Sequence, residues 1–342
     1  MRPAAIVPLL TAALACATPL WIAPTAPMAA DVQRSLDAAH ERYASLDEGA
    51  NADYIPALAE VDPDLFGIVL VTTDGTVYTS GDVETEVSIQ SVSKVFTMAK
   101  VFEESGTDAI FDVIGVDATG MRFNSIVAVE IAHGIAGGPE MNPLVNAGAI
   151  AATSMLRGET RDEIWTSLLS FYSEFAGRPL SVNQPVFESE SATNQRNQAI
   201  GALMYAYGYI KSDPLRATDV YTEQCSVNVN ARDLAMMAAT LANGGQNPIT
   251  DVQVMSPENV PGVLAVMATA GLYDESGKWL FRTGLPAKSG VGGGLLAVAP
   301  GRFGIAVVSP PLDAAGNSVR AQRAIEDIVA ELGANPYAVQ PR

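Results

Sequence analysis

The alternation of apolar and polar positions predicts β-hairpins near both ends of the chain. Apolar runs at residues 66–72 and 76–79 enclose an Asp-Gly pair, which favours a tight turn. A second pair of apolar runs, at residues 295–299 and 303–309, encloses the sequence Pro-Gly-Arg. We therefore expect one antiparallel sheet that is assembled from the two ends of the chain.

Helical spacing dominates the rest of the sequence. Apolar residues recur at intervals of three and four over residues 32–46 and 318–332, and a buried helix is predicted to begin at Ser91. Residues 100–257 are rich in alanine and methionine, with helical periods and few β-branched runs. These patterns predict an α/β (α+β) fold, in which an antiparallel sheet is flanked by terminal helices and carries an inserted all-helical domain.

The order of these elements also predicts the domain organisation. Residues 31–99 and 258–342 would form one α/β lobe, and residues 100–257 would form the helical lobe inserted into it. A cleft between two such lobes commonly holds the functional site. We therefore expect the active site at this junction.

The first thirty residues have the composition of an export signal. They contain no acidic residue and one base, Arg2, before an apolar run over residues 4–15 and a small-residue stretch that ends at Ala30. We predict a signal peptide over residues 1–30 and a periplasmic or secreted protein. Two alternatives stay open: an uncleaved membrane anchor, and a lipoprotein signal cut before Cys16, which would attach the chain to a membrane by a lipid.

Composition and charge exclude several classes of protein. Of the 342 residues 48% are hydrophobic and 17% charged, which excludes intrinsic disorder. The net charge of −18 argues against a nucleic-acid partner, because an acidic surface repels phosphates. Two histidines and two cysteines are too few for a zinc site built from those ligands. Neither His40 nor His133 lies in a catalytic motif, so any hydrolytic chemistry would use another base.

Ser91 and Lys94 are the first candidates for catalysis. Residues three apart share one side of a helix, so the serine hydroxyl and the lysine amine can meet. Lysine can accept the serine's proton only if burial or a nearby cation lowers its pKa. Lys288 begins a Lys-Ser-Gly segment before a predicted strand, where it would place a second cation beside the serine. We therefore predict Ser91, Lys94 and Lys288 as catalytic residues.

The segment from Ser88 to Thr97 resembles the nucleophile segment of the serine-dependent glutaminases, whose fold is that of the serine β-lactamases and transpeptidases. The resemblance covers about residues 49–320 and runs through several motifs in fixed order. These motifs include Asn142-Pro-Leu-Val-Asn-Ala-Gly-Ala-Ile150, Tyr221-Thr-Glu-Gln-Cys-Ser226, Thr269-Ala-Gly-Leu-Tyr-Asp-Glu-Ser-Gly277 and Gly284-Leu-Pro-Ala-Lys-Ser-Gly290. Several long motifs in order are far more specific than one short pattern.

The resemblance implies hydrolysis of L-glutamine to L-glutamate and ammonia, without a metal or an organic cofactor, by a homodimer or homotetramer. Ser91 would be acylated, Lys94 would accept its proton, and Tyr221 would relay a proton to the departing ammonia. Val291 would supply a backbone amide to the oxyanion. The side chains that would hold the amino-acid end of the substrate are Asn146, Glu190, Asn197 and Tyr273.

Each of these residues also has a simpler structural interpretation. Asn146 could cap a turn, Glu190 could be an exposed helix residue, and Tyr273 could belong to the core. The single thiol beyond residue 30, Cys225, is predicted to be buried and inert rather than a nucleophile. The sequence departs from the family at residues 133–139, which resemble a short insertion, and at Met141, where an arginine is common.

Two other functions share parts of this pattern. A periplasmic β-lactamase or D,D-peptidase would also carry the Ser-x-x-Lys and Lys-Ser-Gly motifs, but it would lack the motifs around Asn146, Tyr221 and Tyr273. A non-catalytic amino-acid-binding protein would keep the pocket, but it would have no need of Ser91 and Lys94 together.

Overall fold

The computed structural model describes residues 29–134 and 141–339. Cys16 and nearly all of the predicted export signal lie outside the described residues, as does most of the predicted insertion at 133–139. The first described helix begins at Ala29, inside the segment predicted to be a signal. Within the described part of the chain, no helix combines the length and the apolar character needed to cross a bilayer.

The described residues form seven strands and fourteen α-helices. The strands are β1 Gly67–Thr72, β2 Val77–Gly81, β3 Val87–Ser88, β4 Asn228–Val229, β5 Ala287–Ser289, β6 Gly294–Ala299 and β7 Phe303–Val308. The helices are α1 Ala29–Tyr43, α2 Pro56–Ala59, α3 Ser93–Ser105, α4 Asp108–Val113, α5 Ile126–Gly134, α6 Asn146–Ser154, α7 Arg161–Ala176, α8 Gln184–Thr193, α9 Gln195–Ala206, α10 Pro214–Cys225, α11 Ala231–Ala242, α12 Val260–Ala270, α13 Ser276–Thr283 and α14 Val319–Glu331.

Five strands form one antiparallel sheet in the order β2-β1-β7-β6-β5. Strand β7 is central, since Ala306 pairs with Val69 of β1 on one side and with Leu296 of β6 on the other. The two predicted hairpins are β1–β2 and β6–β7. The predicted α/β class, with a sheet built from both ends of the chain, is confirmed.

Helices cover both faces of this sheet. Ile68 and Leu70 of β1 pack with α1 and α14, while Val69 and Val71 belong to the core on the opposite face. Side chains alternate between the faces of a strand, so a sheet buried on both sides needs an almost continuous apolar run.

Helix α11 lies against the sheet at very close range. A Cβ atom on Gly304 of β7 would stand 2.1 Å from the backbone nitrogen of Ala239, so only glycine permits this approach. This helix falls within residues 100–257, which were predicted as a helical lobe, and yet it packs on strands from both ends of the chain. The division into lobes stays a prediction.

Candidate active site

Ser91 lies on a tight turn in front of α3. The turn is a single 3-10 turn over Gln90–Val92, and the α-helix predicted to begin at Ser91 begins at Ser93. Gln90 has a φ of +50°, a strained conformation for a side chain of this size. The hydroxyl of Ser93 donates to the Gln90 carbonyl at 2.7 Å, which holds this strained residue in place.

Lys94 is almost completely buried behind the nucleophile turn. Its Nζ donates to Asn146 Oδ1 at 2.6 Å, and it lies 5.6 Å from the centre of the Tyr221 ring. Burial lowers the pKa of Lys94 to about 8, although the nearby Cys225 and Glu190 act in the opposite direction. At pH 7 a lysine with this pKa has about a tenth of its amine uncharged, far more than an ordinary lysine, and this free amine can act as a base.

A glycine-rich turn brings the end of β5 against the nucleophile turn. A Cβ atom on Gly290 would lie 3.3 Å from the backbone nitrogen of Ser91, and one on Gly292 would lie 2.4 Å from the carbonyl oxygen of Ser88. Among the described residues, neither the Ser91 amide nor the Val291 amide donates a hydrogen bond. The two amides are therefore available for an oxyanion.

Lys288 is fully buried in β5, and its ammonium is held by backbone carbonyls. Its Nζ donates to the carbonyls of Gly271 at 2.9 Å and Ser289 at 2.6 Å, rather than to Ser91. It also lies 4.2 Å from the centre of the Tyr273 ring. Burial, and then the charge of Lys94, hold the pKa of Lys288 well below its usual range.

Two buried tyrosines enclose the reactive end of the site. Burial raises the pKa of Tyr221, on α10, well above its usual value, so its hydroxyl stays protonated. Tyr273 has a φ of +58° and donates from its hydroxyl to the Ser289 carbonyl at 3.2 Å. Burial raises the pKa of Tyr273 to about 12, while hydrogen bonding with Ser91 and Ser289 acts in the opposite direction.

The predicted substrate residues form two hydrogen-bonded groups. Asn146 donates from Nδ2 to Asn197 Oδ1 at 2.9 Å, so these two amides and Lys94 make one chain. Glu190, which is partly buried on α8, accepts from Gln90 Nε2 at 2.6 Å. Burial raises the pKa of Glu190 to about 7, although Gln90 and Lys94 lower it.

Sequence reasoning missed two residues of this site. Gln90 stands inside the nucleophile motif, yet only its contact with Glu190, one hundred residues away along the chain, reveals a role. Tyr54, with Val291, lines an open cavity of about 720 Å³. Nothing in the short segment around Tyr54 indicated chemistry.

Cys225 is buried, as predicted, and lies one helical turn after Tyr221. Its Sγ is 4.0 Å from the hydroxyl of Ser93, and burial raises the pKa of the thiol to about 12. A thiol that stays protonated is a poor nucleophile. Among the described residues, no three His, Cys, Asp or Glu side chains are grouped closely enough to hold a metal ion.

The antiparallel sheet, the Ser91–Lys94 turn and the Lys288 strand define a protein of the serine β-lactamase-like class. Comparison with known proteins identifies the family within this class. The family model described as Glutaminase matches residues 49–337. The chain belongs to the glutaminase family.

Individual relatives agree with this assignment. A glutaminase of Colwellia psychrerythraea is 51% identical over 306 residues, which are 90% of this chain and 97% of the relative. Glutaminase 1 of Escherichia coli K12 is 46% identical with the same coverage. The solved probable glutaminase ybaS has a TM-score of 0.89 at 45% identity, covering 92% of this chain and all of that one. These findings confirm the predicted family, fold and enzyme class.

The predicted periplasmic or secreted location is wrong by the same comparisons. The chain matches bacterial glutaminases over 97% of their length, and nothing in that match indicates an export signal at residues 1–30. The signal was predicted from the apolar and small-residue composition of this segment, and composition alone does not distinguish a signal from other apolar segments.

Proposed function

We propose that this chain hydrolyses the side-chain amide of L-glutamine to L-glutamate and ammonia through an acyl-enzyme on Ser91. The observation that carries the proposal is Lys94, a buried lysine with a lowered pKa that follows Ser91 by three residues and bonds to Asn146. The relatives are named glutaminases, and a similar solved protein, Mglu, was crystallised in its glutamate form (TM-score 0.84, 34% identity, 92% of this chain and 72% of that one).

In the first half of the reaction, the free amine of Lys94 takes the proton of Ser91 as its oxygen attacks the amide carbon. The negative charge that develops on the amide oxygen is met by the backbone amides of Ser91 and Val291. The carbon–nitrogen bond then breaks. The protonated hydroxyl of Tyr221 gives a proton to the leaving ammonia and regains one from Lys94.

In the second half, a water molecule attacks the γ-glutamyl ester. Lys94 takes a proton from this water, and Ser91 recovers its hydroxyl as glutamate leaves. The same lysine thus serves both halves, which requires a pKa near the working pH.

The amino-acid end of glutamine is a zwitterion and needs both charges matched. Glu190 offers a carboxylate to the substrate ammonium, while the side-chain amides of Asn146 and Asn197 offer hydrogen bonds to its carboxylate. The Tyr273 hydroxyl donates its single proton to the Ser289 carbonyl, so from the substrate its oxygen can only accept a hydrogen bond. Lys288 donates to the Ser289 carbonyl, and we propose that it supports the site without touching Ser91. A site between two lobes and a homodimer or homotetramer remain part of the proposal.

The test compares ammonia release from glutamine with penicillin hydrolysis, using the full-length chain and its Ser91→Ala variant. We expect glutamine turnover in the wild type, its loss in Ser91→Ala, and no useful penicillin hydrolysis in either protein. Rapid penicillin turnover would favour the β-lactamase alternative. Binding of glutamine without any turnover would favour the amino-acid-binding alternative.

A further inference from the structure

We infer that Asn317 is a positioning residue for the reaction, which it serves by fixing Ser289 and, through Ser289, the hydroxyl of Tyr273. This role rests on the proposed serine mechanism and adds to it a residue outside the predicted site. Asn317 lies in the turn that precedes α14, far along the chain from the nucleophile.

The carbonyl of Ser289 is a shared acceptor at the edge of the site. It accepts from Tyr273 at 3.2 Å and from Lys288 at 2.6 Å. The orientation of this one peptide therefore sets the position of the Tyr273 hydroxyl, which faces Ser91. Residues that fix Ser289 also fix the geometry around the nucleophile.

Asn317 holds the side chain of the same serine. The Ser289 hydroxyl donates to Asn317 Oδ1 at 2.5 Å, and both residues are completely buried. Within the described part of the chain, the Nδ2 atom of Asn317 is buried without a hydrogen-bond partner. A buried hydroxyl and a buried amide oxygen that bond to each other fix each other's position, so Asn317 fixes the side chain of Ser289.

Several internal hydrogen bonds hold the turn around Asn317. The carboxylate of Asp313 accepts from the backbone amides of Ala315, Gly316 and Asn317 at 2.9–3.0 Å. The carbonyl of Asn317 in turn accepts from the Asp313 amide at 2.9 Å. These side-chain and backbone hydrogen bonds fix the part of the backbone that carries the Asn317 side chain.

The same turn packs directly on the site. A Cβ atom on Gly316 would lie 3.7 Å from Tyr273 Cε2 and 3.6 Å from Val291 Cγ1. The turn therefore lies beside the ring of the tyrosine whose hydroxyl it helps to place, at a distance that one added methyl group would fill. Three elements meet at Ser289: the turn bonds to its hydroxyl, the segment before α13 bonds to its carbonyl, and β5 ends with it.

The test is a double-mutant cycle on the full-length chain with Asn317→Ala, Ser289→Ala and the double variant, in which kcat and KM for glutamine are measured. A group misplaced by about an ångström commonly costs about a hundredfold in rate, so we expect each single variant to lose about 10- to 100-fold in kcat, with a smaller change in KM. Both substitutions remove the same hydrogen bond, so the kcat of the double variant should equal that of the slower single variant within about twofold. In a Tyr273→Phe background, Asn317→Ala should lower kcat little further, because the hydroxyl that Asn317 helps to place is already absent.

The control is Asn247→Ala, which removes another fully buried asparagine that binds the carbonyls of Glu174 and Phe175 at the end of α7. It should lower the melting temperature and leave kcat unchanged. Wild-type kcat in folded Asn317→Ala, or losses that multiply in the double variant, would overturn the role. If Asn317→Ala fails to fold, wild-type kcat in Ser289→Ala would overturn it alone. A wild-type chain inactive on glutamine would instead overturn the proposed function.

Discussion

Replacing Glu190 by Gln tests the substrate side of the site with the smallest change in shape. Gln90 can still donate to the oxygen that remains at this position, so the local hydrogen bond of 2.6 Å is preserved and the charge alone is lost. A hydrogen bond to a charged partner contributes up to about 3 kcal/mol, and Glu190 is only partly buried. We therefore expect kcat/KM for glutamine to fall about 30- to 150-fold, which corresponds to about 2–3 kcal/mol.

The pH profile gives a second and sharper readout. Burial raises the pKa of Glu190 to about 7, so its carboxylate is lost as the pH falls through 7, and glutamine binding should be lost with it. The free amine of Lys94 is lost as the pH falls through about 8. The profile of kcat/KM should thus show two acid-side ionisations in the wild type. Glu190→Gln should keep only that of Lys94, moved to lower pH because a nearby negative charge is gone.

The assay is ammonia release measured from pH 5 to 9, with Glu188→Gln as the matched control. Glu188 lies on the same helix, is exposed, and accepts from Gln184 Nε2 at 3.1 Å, so its replacement removes the same charge away from the pocket. Its profile should equal that of the wild type. A Glu190→Gln enzyme with unchanged kcat/KM, or one that keeps both ionisations, would show that Glu190 does not supply the charge that binds the substrate ammonium.

Two further substitutions test the base and the sheet. Lys94→Ala should lower kcat by about 10²–10⁴-fold while glutamine still binds, as measured by turnover and calorimetry; a folded variant with wild-type turnover would remove lysine from the mechanism. Gly304→Ala should destabilise the fold by about 1–3 kcal/mol in urea, because its Cβ would overlap Ala239. Gly277→Ala, with nothing within 4 Å of its Cβ, is the control and should leave stability nearly unchanged; equal urea midpoints for the two variants would contradict the packing argument.

Local patterns in the sequence predicted the fold well. The hairpin over residues 66–79 and the helix over 318–332 lie within two residues of the observed elements, because turn residues and apolar periods act over short distances. The packing of α11 on the sheet could not be predicted this way. It depends on Gly304 meeting Ala239, and no local pattern records which distant residue a glycine will face.

In the candidate site too, spacing along the chain could indicate only relations between residues that are close in sequence. Ser91 and Lys94 are close in the chain, and their relation follows from helical spacing. The contact between Gln90 and Glu190 is long-range, and so is the bond from Ser289 to Asn317, so neither could be derived from spacing. The catalytic role of Lys288 stays a prediction, and the sequence could not show that two backbone carbonyls hold its ammonium.

In the proposed mechanism, Ser91 carries the γ-glutamyl group between the two halves of the reaction. Rapid acid quench during glutamine turnover, followed by peptide mass spectrometry, measures this directly. We expect a peptide containing Ser91 that is heavier by one γ-glutamyl group, and no such peptide in Ser91→Ala. Steady glutamine turnover by a folded Ser91→Ala protein, or the adduct on another residue, would contradict it.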